Sequence, residues 1–242
     1  TITSGSGNDS ILANGGNDVI NAGDGNNVVN AGMGNDQVTT GAGNDSILAG
    51  VNDDTVSSGD GDDTVSGGAG FDSISSGAGN DSVDGGANGD TIDPGAGADT
   101  VSDGAGIDHI LLSDGDNDLV MNAVDNTRDY FKWTTLSAPG EDGPEWDIID
   151  YFDVVTAGHD QIDVSKLGSN LVAEIYGSAG ESGALVIFTD ETARDIGDAS
   201  LVIEWNNGTP LELINVGVQA GADIRVGFGW TVYDAVTGDT FF

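Results

Sequence analysis

The 242-residue chain contains no cysteine, five Lys plus Arg, two His and four Pro. Without cysteine there are no disulfide staples and no thiolate metal sites. Only 6% of the residues are aromatic, too few for a conventional core spread over the whole chain. No apolar run reaches the roughly 18 to 20 residues that cross a bilayer as a helix. The first residues, TITSGSGND, carry neither a basic region nor an apolar core, so they do not read as a signal peptide. Basic residues are scarce and acidic ones are not: 42 Asp plus Glu give a formal charge of −37. Such a chain is repelled by nucleic acid and by anionic membranes, and it attracts cations.

Charge and glycine divide the chain. All five basic residues, Arg128, Lys132, Lys166, Arg194 and Arg225, follow residue 111, as do all four Trp and all four Tyr. Residues 1–111 hold 25 of the 40 glycines and 18 acidic residues, every one an Asp. This shift of composition marks a boundary and suggests three parts: 1–111, a transition at 112–130, and 131–242.

The first part is an internal repeat. Cut every nine residues from Ser4, it gives twelve units without an insertion, ending at Leu111. They include SGSGNDSIL, TGAGNDSIL, GGAGFDSIS and SGAGNDSVD. Position eight is Ile or Val in all twelve; position six is Asp in eleven, with Asn27 the exception. Position two is Gly in eleven, and position four is Gly in ten, with Asn52 and Asn88 in its place. A branched apolar residue between small polar ones, as in Ser73-Ile74-Ser75, reads as a three-residue strand with one inward side chain. The Gly-rich residues before it take the positive φ values of a tight turn. Turn plus strand is half a coil, so two units form one 18-residue coil of a flattened parallel β-solenoid.

In that solenoid, residues 18 apart stack. One edge carries Asp9, Asn27, Asp45, Asp63, Asp81 and Asp99, and the other Asp18, Asp36, Asp54, Asp72, Asp90 and Asp108. Coils about 4.8 Å apart would set neighbouring carboxylates to repel by roughly 3 kcal/mol at an effective dielectric near 20. Cations between the turns are therefore required. Carboxylates and glycine-exposed carbonyls, without His or Cys, suit a hard ion that takes six or more oxygens, which favours calcium over magnesium. Five gaps per edge predict about ten calcium ions, one per gap. The rival reading, a disordered Gly/Asp-rich tail, has no use for an Ile or Val every ninth residue.

These units resemble the RTX nonapeptide, GGxGxDxUx with U a large aliphatic, of calcium-binding repeats in proteins exported by bacterial type I secretion. The resemblance covers residues 4–111. It implies an all-β fold: a right-handed parallel β-roll with a calcium between neighbouring turns on each edge. The ligands it implies are the side chains at position six together with turn carbonyls. It also implies a secreted or cell-surface location and the type I secretion machinery as a partner, with cell-surface polysaccharide or a second copy of the chain as further candidates.

Residues 112–130 read as decaying repeats, with SDGDND keeping the turn chemistry before the register fails. The segments DYFKW and WDIIDYFDVVTAGHDQIDVSKL resemble the region after the β-roll in serralysin-type proteases and RTX adhesins. Asp129, Phe131 and Trp133 carry its first motif, Asp147, Ile149, Tyr151 and Phe152 its second, and Asp160, Ile162, Asp163 and Ser165 its third. The runs LVAEIYG, GALVIFTD, SLVIEW, PLELINV and IRVGFGWTVYD are β-rich, so 131–242 is expected to be a small all-β cap. Asp147, Asp150, Asp160 and Asp163 are candidates for a further calcium. The ending Gly-Asp-Thr-Phe-Phe resembles the uncleaved carboxy-terminal signals of type I substrates.

No catalytic constellation stands out. His109 and His159 are far apart, there is no HExxH, and the Gly-rich turns precede Asp and a strand rather than Lys and a helix. The function this predicts is a non-catalytic calcium-binding module at the end of a larger exported protein, such as an adhesin, a surface-layer protein or an exoenzyme. A hydrolase with its active domain upstream, and a self-assembling lattice or filament domain, are the alternatives.

Overall fold

The computed structural model describes residues 1–112 continuously and, after them, residues 119–121, 129–133, 146–150, 161–163, 172–177, 183–188, 201–205, 224–226, 232–233 and 240–241. By contacts the chain separates into two compact units, Thr1–Leu111 and Leu112–Phe242. The first contains strands only, in chain order β1 (Ile2–Thr3), β2 (Ser10–Leu12), β3 (Val19–Gly23), β4 (Val28–Met33), β5 (Gln37–Thr40), β6 (Ser46–Val51), β7 (Thr55–Asp60), β8 (Thr64–Ala69), β9 (Ser73–Ala78), β10 (Ser82–Ala87), β11 (Thr91–Asp93), β12 (Thr100–Ser102) and β13 (His109–Leu112).

Odd strands form one parallel sheet and even strands a second. Each strand pairs with the strand two before it, 18 residues earlier: Ile2 with Ile20, Ile20 with Val38, Ile11 with Val29, Val65 with Val83. This is the parallel solenoid with 18-residue coils that the nine-residue period predicts. Position eight fills the space between the sheets, with Ile20, Ile74, Ile92 and Ile110 at most 2% exposed. Exposed residues at positions seven and nine flank it, the alternation of a strand with one buried face.

Most of the strands are longer than three residues. Six of them, such as β8 and β9, run six residues, through the position-two glycine to position three. Each then has two inward positions rather than one. The second is position one of the following unit, held by Ala22, Ala31, Ala49, Ser58 and Ser76, all 0% exposed. Only small side chains fit there: a Cβ built on Gly67 would lie 2.6 Å from both the Asp72 carboxylate and the Gly85 carbonyl. Hydroxyls at this position bond to the next coil, with Thr40 Oγ1 donating to the Ser58 carbonyl and Ser58 Oγ to that of Ser76.

The turn is correspondingly short, positions four to six. Its neighbours in the left-handed region are mostly glycine, and where glycine is missing asparagine takes over: Asn14, Asn52 and Asn88 have φ of 73°, 80° and 80°. Asparagine is the side chain that tolerates this region best, so the three substitutions preserve the turn.

In the second unit β14 (Leu119–Met121) pairs parallel with β16 (Trp146–Asp150), and β15 (Tyr130–Trp133) with β17 (Gln161–Asp163). Strands β18 (Val172–Gly177), β19 (Gly183–Phe188) and β20 (Leu201–Trp205) form an antiparallel meander, with β21 (Ile224–Val226) beside β18. Strands β22 (Val232–Tyr233) and β23 (Thr240–Phe241) form a separate hairpin. The side chains of Asp147, Asp150, Asp160 and Asp163, proposed for a further calcium, lie outside the described residues.

Candidate metal centre

All twelve position-six residues stand on the two edges of the solenoid. From Asn27 onward they are buried, with Asp36, Asp45, Asp54, Asp63, Asp72, Asp81, Asp90, Asp99 and Asp108 at most 3% exposed. Asp9 and Asp18, in the first coil, are half-buried. Nine buried carboxylates in two rows are costly in any protein, because burial disfavours the charged form.

Half of each carboxylate is accounted for. One oxygen accepts the backbone N–H of the position-six residue one coil earlier. On one edge Asp45 accepts from Asn27, Asp63 from Asp45, Asp81 from Asp63 and Asp99 from Asp81. On the other, Asp36 accepts from Asp18, Asp54 from Asp36, Asp72 from Asp54, Asp90 from Asp72 and Asp108 from Asp90, all at 2.6 to 2.8 Å. These bonds fix every carboxylate in one orientation and tie each coil to the next.

The second oxygen is different. At Asp36, Asp45, Asp54, Asp72, Asp81 and Asp90, Oδ2 is buried and makes no hydrogen bond. Buried acceptors without a partner are rare in native proteins, and here they recur at the same place in coil after coil. Burial is the main cause that pushes the Asp90 carboxyl up to about 7 and those of Asp54 and Asp81 up to about 6. The donated N–H opposes the shift, and neighbouring carboxylates add to it. Asp63 and Asp72 are raised for the same reason. Carboxylates in this state are relieved by a proton or by a cation.

Position five makes a second ladder, one that the nine-residue pattern contains but that the period alone does not reveal. Its side-chain oxygen accepts from the coil that follows rather than the coil before: Asn26 N–H donates to Asn8 Oδ1, Asn44 to Asn26, Asp62 to Asn44, and Asn80 to Asp62. Eight of the twelve units carry Asn or Asp here, and that enrichment is the signal. Each turn is thus bonded by side chains in both directions along the stack.

Backbone carbonyls of the turns crowd the neighbouring coil. Coils approach so closely that a Cβ on Gly68 would collide with the carbonyl of Gly50, and one on Gly86 with that of Gly68. Asn27 shows where the carbonyls of one turn point: its amide nitrogen donates to Gly23 O at 3.0 Å and to Gly25 O at 2.8 Å. An oxygen-only cradle of this kind, with free carboxylate oxygens and convergent carbonyls, fits a hard divalent ion and calcium best.

The geometry defines a parallel β-solenoid whose two edges are lined by buried, half-satisfied carboxylates. Four successive matches to the RTX calcium-binding nonapeptide repeat cover residues 3–38, 30–65, 57–92 and 93–127, just over half of the chain. The chain belongs to that family, whose repeats bind calcium. The last match runs to residue 127, so repeat character continues into the stretch where the register fails. No curated protein matches the chain. Among solved structures it is similar to the solution structure of the AlgE6R3 subunit of a mannuronan C5-epimerase from Azotobacter vinelandii. That pair shares 20% identity over 75% of this chain and 88% of the other, at a TM-score of 0.26.

Proposed function

We propose that this chain is a non-catalytic calcium module that folds on binding calcium outside the cell and supports the export or display of a larger protein. The single observation that carries this reading is the row of buried Oδ2 atoms without hydrogen-bond partners. The side chains that would hold the ions are Asp9, Asp18, Asp36, Asp45, Asp54, Asp63, Asp72, Asp81, Asp90, Asp99 and Asp108, together with turn carbonyls. Calcium would supply the charge that lets these carboxylates remain ionised while buried.

The link to export is physical. In a low-calcium cytosol, 18 Asp in 111 residues with no basic partner hold the chain open by repulsion, and an open chain can thread a secretion channel. Outside, millimolar calcium closes the coils. A calcium titration followed by circular dichroism and X-ray scattering tests this. The chain is expected to pass from expanded to compact and β-rich at about 0.1 to 1 mM, the range of extracellular calcium modules. A compact, β-rich chain in excess chelator at pH 8 would refute it.

A further inference from the structure

The Asn27 turn differs from every other buried turn in one respect. Asn27 is 1% exposed, and all of its polar atoms are engaged. Its backbone N–H donates to Asp45 Oδ1 at 2.7 Å and its Oδ1 accepts the N–H of Asp9 at 3.0 Å. Its Nδ2 donates to Gly23 O and Gly25 O. The amide orientation follows from this network: reversed, it would set an oxygen against two carbonyls and an NH2 group against an N–H.

Asn and Asp have the same shape. At Asp45, one coil on along the same edge, the atom corresponding to Nδ2 is an oxygen that donates nothing and has no hydrogen-bond partner. Where Asp45 leaves an acceptor to be satisfied from outside, Asn27 brings two N–H donors and closes the turn over its own carbonyls.

We infer that the turn of residues 22–27 is an ion-free clasp, held shut by the Asn27 side-chain amide where the other turns of the edge hold calcium. The amide uses both carbonyls and carries no charge, so a calcium there would have to displace two hydrogen bonds and would gain no carboxylate. The clasp gives one edge a turn that is satisfied before calcium arrives. The inference rests on the calcium reading of the remaining turns.

The test is the calcium stoichiometry of the full chain, measured by equilibrium dialysis with elemental analysis at saturating calcium. Asn27→Asp is expected to bind one more ion per chain than the parent. Asp45→Asn, which gives the next turn the same amide, is expected to bind one fewer. Circular dichroism at saturating calcium establishes that each variant is folded. A folded Asn27→Asp chain with the parent's stoichiometry overturns the inference, as does a folded Asp45→Asn chain that keeps the parent's full count. A parent chain that binds no calcium would instead overturn the calcium reading itself.

Discussion

Gly16 and Gly68 have nearly the same φ, +108° and +109°, yet their surroundings differ. A Cβ on Gly16 would meet nothing within 4 Å, whereas one on Gly68 would run into the carbonyl of Gly50 in the coil before. Replacing each by alanine therefore separates two costs. Both variants carry the strain of a side chain at positive φ, about 1 kcal/mol or somewhat more. Gly68→Ala must in addition push two coils apart. The bonds closest to that gap are Asn52 N–H to the Ala69 carbonyl at 2.7 Å and the β6–β8 ladder bond beside it, where Val51 pairs with Ala69. Losing two buried backbone bonds costs about 1 kcal/mol each, so Gly68→Ala should lie about 2 kcal/mol below Gly16→Ala. That is roughly a thirtyfold difference in the folding equilibrium. Denaturant unfolding in saturating calcium, with hydrogen exchange to localise the effect to β6, β8 and β10, measures it. Equal destabilisation by the two substitutions would show that close approach of the coils does not require glycine at position two.

Truncating the core should show at single positions, and Ile74→Ala, at a side chain 2% exposed, is expected to cost about 2 to 5 kcal/mol in the same denaturation assay. In chelator the raised carboxyls of Asp54, Asp81 and Asp90 make the fold depend on pH. Their folded values, about 6 to 7, exceed the ordinary aspartate value of about 3.9, so folding takes up protons. Stability without calcium is therefore full below about pH 4 and lost as pH rises through 6 to 7; circular dichroism should show more β-structure at pH 5 than at pH 8. Asp63→Ala removes the acceptor of the Asp45 N–H and one carboxylate from its edge. It should raise the calcium midpoint severalfold and speed hydrogen exchange in adjacent coils while distant coils stay protected.

Much of this was legible from the period. An Ile or Val at every ninth residue fixes both the coil length and the first core layer, because a strand with one buried face repeats its inward side chain by register. Asp at position six fixes the two edges for the same reason. The second core layer was not legible, since Ala22, Ser58 and Ser76 carry no hydrophobic signal of their own, and only the closeness of the two sheets buries them. Asn27 reads in sequence as one charge lost; the two hydrogen bonds gained depend on where the carbonyls of its own turn point. Asn52 and Asn88 read as departures from glycine, yet their φ of 80° makes them equivalents of it. Beyond residue 112 the nine-residue period ends, and alternation of apolar residues marks strands such as β18, β19 and β20 without stating their order.

Calcium between the turns is the central claim, and the most direct measurement is a crystal structure of the chain grown in calcium, with anomalous scattering to locate the ions. The account predicts ions in rows along both edges, each beside the second oxygen of carboxylates such as Asp54, Asp72 and Asp90 or Asp45, Asp63 and Asp81, with none in the turn of residues 22–27. Ions along one edge alone, or carboxylates packed against each other without metal, would contradict it.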